Sequence, residues 1–217
     1  MSNPELLAST PADSPHISGD QPGLLRNIVN PGVNLCLWQR PSQAAIVEEL
    51  FTLPALALPD VRCSTSLKSF GHDVSTLLQQ QDLDPSIYKN WRIDLRRVAE
   101  HYFSISKSRN VTMRLVTTNE DDCPRFHVDQ TQLRLLCTYR GPGTEWLSDQ
   151  QVDRAAQRSG APNEEIIRYG EPNVFEPFWV GIMKGNAYPG NAGQGLVHRS
   201  PQISGSGKTR VLFCLDS

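Results

Sequence analysis

Along the 217 residues, hydrophobic and polar positions follow two different patterns, and the change falls near residue 108. From Asp84 to about Phe103 (DPSIYKNWRIDLRRVAEHYF) the apolar residues Ile87, Trp91, Leu95, Val98 and Tyr102 recur at intervals of three and four. That spacing draws one apolar stripe along an α-helix. Asp84 reads as its N-cap and Pro85 as its first helical residue. Pro41 to Leu53 (PSQAAIVEELFTL) predicts another helix opened by proline, and a shorter one is predicted over Val74 to Gln81. Residues 1–23 are rich in Ser, Pro, Asp and Gly, lack periodicity, and predict a disordered tail.

Beyond residue 108 the runs shorten. VTMRLVTT, QLRLLCTY, NVFEPFWVGIMKG and TRVLFCLD are enriched in β-branched and aromatic residues and separated by Gly, Pro, Asn and Asp. A polar helical excursion is predicted over Ser148 to Gly160, and RGPGTEW (140–146) has the punctuation of a hairpin. Helices followed by strands predict an α+β fold, with an antiparallel sheet or barrel backed by N-terminal helices. The expected divisions are a tail over 1–23, a mainly helical part over 24–108, and a β core carrying the site over 109–217.

Composition narrows the function. Lys plus Arg number 21 against 23 acidic residues, for a formal net charge of −2. Such a balance lacks the basic footprint of a nucleic-acid binder or a polybasic membrane binder. No apolar run approaches the roughly 18–20 residues of a membrane span. The N-terminal stretch lacks the basic and apolar regions of a secretory signal. Five widely spaced cysteines without Cys-x-x-Cys fit neither a disulfide framework nor a zinc ribbon. The expectation is a cytoplasmic protein with no nucleic-acid or membrane partner, acting on a small-molecule or protein substrate.

One phosphate-loop pattern fails. In QISGSGKT (202–209) the position of the first required glycine holds Gln202, and a strand-like TRVLFCLDS follows where a helix is needed. The segment predicts a glycine-rich hairpin turn. The chemistry lies instead in CPRFHVDQTQLRLLCTYRGPGTEW. His127 and Asp129 stand at i and i+2, so on an extended strand both side chains share a face and can chelate one divalent metal. His198 in GLVHRSPQ supplies a further imidazole, and Arg210 follows in the last strand. Two histidines and a carboxylate on one face of a metal leave positions open for exogenous ligands, an arrangement suited to non-haem Fe(II). A nearby guanidinium can grip a carboxylate bidentately. Arg210 shares a strand face with Leu212 and Cys214, and a charge on an apolar face needs a partner.

The order His127-x-Asp129, distant His198, then Arg210 resembles the iron(II)/2-oxoglutarate-dependent oxygenases. FHVDQTQLRLLCTYRGPGTEWL, VHRSP and TRVLFCLD are similar to a bacterial family known only as a domain of unknown function. The oxygenase resemblance implies an antiparallel double-stranded β-helix, the cupin-like jelly roll. It also implies Fe(II) held by His127, Asp129 and His198, 2-oxoglutarate anchored by Arg210, and oxidation of a substrate C–H bond. Leu212 stands where many superfamily members carry Ser or Thr two residues after that arginine.

Rival readings attach to the same residues. Cys123, His127 and Asp129 fall within seven residues, and a thiolate beside imidazoles favours zinc. A cupin-like zinc-binding or metal-handling protein without oxygenase activity keeps His127, Asp129 and His198 as ligands and leaves Arg210 a structural role. Arg210 has Asp129 and Glu145 as possible ion-pair partners. Tyr139, on the strand face of Leu133, Leu135 and Cys137, offers a hydroxyl to the co-substrate pocket or a core aromatic ring. With the histidines satisfied internally, the same scaffold is a non-catalytic interaction domain.

Overall fold

The computed structural model describes residues 16–217. Elements follow in the order β1 (His16–Gly19), a 3-10 helix (Pro22–Val29), β2 (Leu35–Trp38), α1 (Ala44–Phe51), β3 (Cys63–Thr65), α2 (Phe70–Gln79), α3 (Lys89–Ser106), β4 (Val111–Thr118), β5 (Leu133–Arg140) and β6 (Glu145–Leu147). Then come α4 (Arg154–Ser159), α5 (Asn163–Ile166), β7 (Asn173–Val174), β8 (Val180–Lys184), β9 (Val197–Arg199) and β10 (Arg210–Asp216). A seven-stranded sheet has the order β1-β2-β8-β5-β10-β4-β3, and a three-stranded sheet the order β7-β6-β9. All pairings are antiparallel except β1 with β2. The fold is therefore α+β, built on a large sheet.

Alternation along the central strands separates two apolar layers. Leu133, Leu135, Cys137 and Tyr139 of β5, with Val211, Phe213 and Leu215 of β10, join the helical core around Trp91, Leu95, Val98 and Tyr102 of α3. Leu136 of β5 and Leu212 and Cys214 of β10 face the other way and pack with Trp146, Phe175 and Leu196 beneath the small sheet. Period-two geometry produces this division directly. Helices therefore cover one face of the large sheet and the small sheet covers the other.

The mainly helical N-terminal part also carries short strands. The predicted tail over 1–23 lies outside the described residues as far as residue 15; residues 16–19 form β1 and Pro22 opens the 3-10 helix. β2 joins the large sheet between β1 and β8, so residues 24–108 contribute strands as well as helices. β2 reads LCLW, all buried, and a four-residue run without alternation carries no strand signal in sequence.

The start of α3 also differs from expectation. Asp84 accepts the Ser86 amide at 2.8 Å and closes a local turn instead of capping the helix. The free amides of Asn90 and Trp91 are taken at 2.8 Å each by the Glu49 carboxylate, from α1. A long-range acceptor thus does what a local cap would do. The helix closes at Lys107, in left-handed conformation with φ of 55°.

Two expected hairpins are crossings between sheets. RGPGTEW links β5 of the large sheet to β6 of the small one, and ISGSGKT links β9 back to β10. At Gly141, φ is 80° and a Cβ would press on the Thr209 carbonyl oxygen, so the two crossings pack against each other where only glycine fits. NVFEPFWVGIMKG likewise splits into β7 and β8, which lie in different sheets. The break sits at Phe178, whose φ of 71° ends the extended conformation.

Candidate metal centre

His127, Asp129 and His198 converge. Their ligating atoms all lie within 4.8 Å of one another, in the one such group of three His, Cys, Asp or Glu found among the described residues. His127 and Asp129 lie between β4 and β5, and His198 is the middle residue of β9. A pair of main-chain hydrogen bonds holds the two segments together: His127 N–H to His198 C=O and His198 N–H to His127 C=O, both 3.0 Å. The imidazole rings lie 4.6 Å apart between centroids. His198 is 4 % exposed overall, and the Asp129 side chain is 10 % exposed.

Neighbouring carbonyls set the tautomers. His127 Nδ1 lies 2.9 Å from the Arg125 carbonyl oxygen and His198 Nδ1 lies 3.1 Å from that of Leu196. A carbonyl accepts only, so each Nδ1 carries hydrogen and, in the neutral ring, each Nε2 keeps its lone pair. Both lone pairs face Asp129: Nε2 of His127 is 3.6 Å from Oδ1, and Nε2 of His198 is 3.2 Å from Oδ2. Oδ2 is buried and accepts no hydrogen bond. Electron pairs that face each other across so short a gap require a proton or a cation between them. Carbonyl-oriented imidazoles are the usual second support of a metal-ligating histidine. These residues fit a divalent ion with nitrogen and oxygen donors.

Titration reflects the same arrangement. Burial acts to raise the Asp129 carboxyl, but the charge of His198, the close approach of both imidazoles and the Arg134 guanidinium together hold it far below the usual carboxylate range. Burial acts to lower His127. The nearby Asp129 carboxylate and the hydrogen bond to the Arg125 carbonyl outweigh that, leaving His127 above its ordinary value.

Arg210 has a different status from every other arginine near the site. It is 1 % exposed, and among the described residues no carboxylate lies within ion-pairing distance. Both partners expected from the sequence are engaged elsewhere: Asp129 with Arg134, and Glu145 with Arg199. Arg210 instead donates to hydroxyls, Nη2 to Thr144 Oγ1 at 2.7 Å and Thr138 Oγ1 at 3.4 Å, and Nη1 to Ser200 Oγ at 3.4 Å. Its Nε–H has no acceptor. Burial pulls the guanidinium down to about 10, which still leaves it charged at neutral pH. Arg210, both histidines, Thr144 and Ser200 line one cavity of about 40 Å³.

Tyr139 is not part of this assembly. It lies on the helical side of β5, where its hydroxyl donates to Asp94 Oδ2 at 2.7 Å and its ring packs edge-on against Trp91 and Phe178. The expected co-substrate contact is replaced by a buried ionic network in which Arg40 grips Asp94 with two bonds of 2.7 Å. Cys123 borders the cavity but does not join the three convergent residues.

Sequence reasoning did not single out Arg134. Its Nη1 donates to Asp129 Oδ1 at 2.6 Å, while Nε and Nη2 hold both oxygens of Asp216 at 2.6 and 2.8 Å. The available signal was a lone charge inside the apolar run LRLLCTY. Gly185 packs against the backbone of the site: a Cβ there would collide with the carbonyl oxygens of Thr131 and Asp129.

The geometry defines an α+β protein with a buried His–Asp–His centre and an unpaired arginine beside it. The chain belongs to the family described as "Protein of unknown function (DUF1826)", whose model matches residues 19–216. No curated protein matches it. Similar solved structures include a dioxygenase for auxin oxidation from rice, at 14 % identity over 93 % of this chain and 82 % of that one, with a TM-score of 0.49. A Pseudomonas putida prolyl-4-hydroxylase is 10 % identical over 82 % of this chain and 94 % of that one, with a TM-score of 0.37. A C-terminally truncated Neurospora crassa protein, solved in apo form, is 14 % identical over 90 % of this chain and 85 % of that one, with a TM-score of 0.44. Among the described residues no helix is long and apolar enough to cross a membrane.

Proposed function

We propose that this protein is a non-haem Fe(II)/2-oxoglutarate-dependent oxygenase of the hydroxylase type, on a jelly-roll scaffold formed by the two facing sheets. The observation that carries this reading is Arg210: a buried guanidinium that makes no ion pair among the described residues, in a cavity it shares with the two histidines and Asp122. A buried charge is costly unless paired, and a bound carboxylate is the partner that the guanidinium fork fits best.

In this reading His127, Asp129 and His198 hold the ion and Arg210 takes the far carboxylate of the co-substrate. The bound Fe(II) supplies O₂ activation coupled to oxidative decarboxylation of 2-oxoglutarate. The chain contributes orientation and dryness. The Arg125 and Leu196 carbonyls fix the imidazoles, and Thr144, Thr138 and Ser200 hold the guanidinium in place. The hydroxyls of these three replace the Ser or Thr that Leu212 does not provide. The test is 2-oxoglutarate consumption with stoichiometric succinate in the Fe(II)-loaded protein, together with a visible charge-transfer band on anaerobic addition of 2-oxoglutarate. Absence of both defeats the reading.

A second reading, a cupin-like protein that binds zinc or another metal without oxygenase chemistry, is favoured by the size of the cavity. About 40 Å³ holds a few waters, whereas organic ligands usually occupy pockets of about 300–1,000 Å³. Under this reading the protein binds one divalent ion and 2-oxoglutarate leaves its spectrum unchanged.

A further inference from the structure

Resting on the reading of His127, Asp129 and His198 as a metal centre, we infer that the Arg134–Asp216 pair is its positioning device, holding Asp129 so that it offers the ion one oxygen only. A carboxylate beside a divalent ion can bind through one oxygen or both, and the choice sets how many coordination positions stay open. Here the choice is made by a neighbour. Arg134 Nη1 donates to Asp129 Oδ1 at 2.6 Å, a short charge-assisted bond, while Oδ2 is buried with no hydrogen bond at all. Oδ1 is engaged and Oδ2 is available.

Arg134 is itself immobilised. β5 and β10 are antiparallel with Arg134 directly opposite Asp216, and the guanidinium edge bearing Nε and Nη2 forms a two-bond fork with that carboxylate. The three side chains are 7 to 11 % exposed. Cys214 Sγ, two residues before Asp216 on the same strand face, lies 3.5 Å from Asp216 Oδ1 and completes its surroundings. Two carboxylates share one guanidinium, so Arg134 does not cancel the negative charge needed by a cation. It distributes that charge between an anchor, Asp216, and a ligand, Asp129. Lysine cannot reproduce this, because a single ammonium cannot present a planar fork to one carboxylate and a third N–H to another.

The experiment uses the full chain and Co(II) alone as probe, read by equilibrium titration and by infrared difference spectroscopy of the bound carboxylate. The wild type is expected to bind one Co(II) with the wide separation of symmetric and antisymmetric stretches that marks one-oxygen coordination. R134K retains the buried charge and is expected to lose about 10–100-fold in affinity, the range seen when an outer partner of a metal ligand is removed. R134M/D216N removes one positive and one negative charge together and leaves Asp129 facing the ion without its guanidinium partner. It is expected to retain one Co(II) while the stretch separation narrows, as Asp129 turns to bind through both oxygens. An unchanged separation in R134M/D216N, or unchanged affinity in R134K, overturns the positioning role and leaves the metal centre standing. Absence of Co(II) binding in the wild type overturns the metal centre itself. A purely structural role for Arg134 would lower thermal stability without moving the infrared signature.

Discussion

His127 and His198 exchange both of their main-chain hydrogen bonds, each 3.0 Å long, so the two imidazoles are fixed to each other through the backbone before any side-chain contact is counted. Antiparallel residues that exchange bonds in this way are held at a defined separation. The pair therefore forms a rigid two-nitrogen edge, and Asp129 closes the third side.

Replacing His198 with Ala removes one nitrogen and leaves Asp129 Oδ2 without a facing group. The expected result is more than a 100-fold loss of divalent-ion affinity, beyond the roughly 10–100-fold effects of outer partners. C123S is expected to bind the ion like the wild type, since Cys123 stands outside the convergent group. Isothermal titration of both variants with Zn(II) and Co(II) checks this, and a large effect of C123S would make the thiol a ligand.

Arg210 separates ligand binding from stability. Its charge is buried without an ion pair among the described residues, so R210M is expected to melt at or above the wild-type temperature. The same variant should retain the metal and lose the 2-oxoglutarate-dependent absorption band. A melting temperature several degrees lower would mean that Arg210 is a structural brace.

Asp94 contributes to the acid side of the stability profile. Burial acts to raise its carboxyl, but hydrogen bonds from Arg40 chiefly, then Tyr139 and Gln43, hold it below the usual carboxylate value. A depressed carboxyl contributes stability that is present above the unfolded value of about 3.9 and lost as pH falls through the folded one. D94N breaks a buried pair and is expected to cost about 3–5 kcal/mol near neutrality. Urea midpoints of wild type and D94N should draw together as pH falls below about 4. Y139F should lose some stability, with metal and 2-oxoglutarate binding intact.

Gly185 is expected to tolerate no side chain. G185A forces the Thr131 and Asp129 carbonyls apart, an overpacking strain costing about 1–3 kcal/mol. Because Asp129 is one of the displaced residues, metal affinity should fall together with the unfolding midpoint. A variant with normal affinity would show that the Asp129 side chain does not depend on its backbone position.

Period-two and period-3.6 patterns made the longest elements legible. β4 coincides with VTMRLVTT, and α3 carries the stripe from Trp91 to Tyr102. Short elements were hidden. β1, β2 and β3 span three or four residues each, and their placement depends on partners elsewhere in the chain. Turn residues at 140–146 and 202–209 announced changes of direction but carried no information about which sheet the chain would enter next. Tyr139 illustrates the same boundary at the site. Alternation correctly grouped it with Leu133, Leu135 and Cys137, yet grouping by parity does not say which face the helices cover. Opposite parity placed Arg134 with Leu136 and Thr138, on the side where Arg210 lies. The convergence of His127, Asp129 and His198 could be anticipated from residue types, while the carbonyls that orient the two rings come from backbone geometry and leave no trace in the sequence.

The crossings at 140–146 and 202–209 have a kinetic consequence. Since β9 meets His127 through a bridge between segments distant in sequence, closing the site carries a large loop-closure cost, and the third donor is expected to arrive late in folding. Cobalt colour developing during refolding from urea would then report the moment at which β9 docks on the His127 segment, an optical clock for closure of the site.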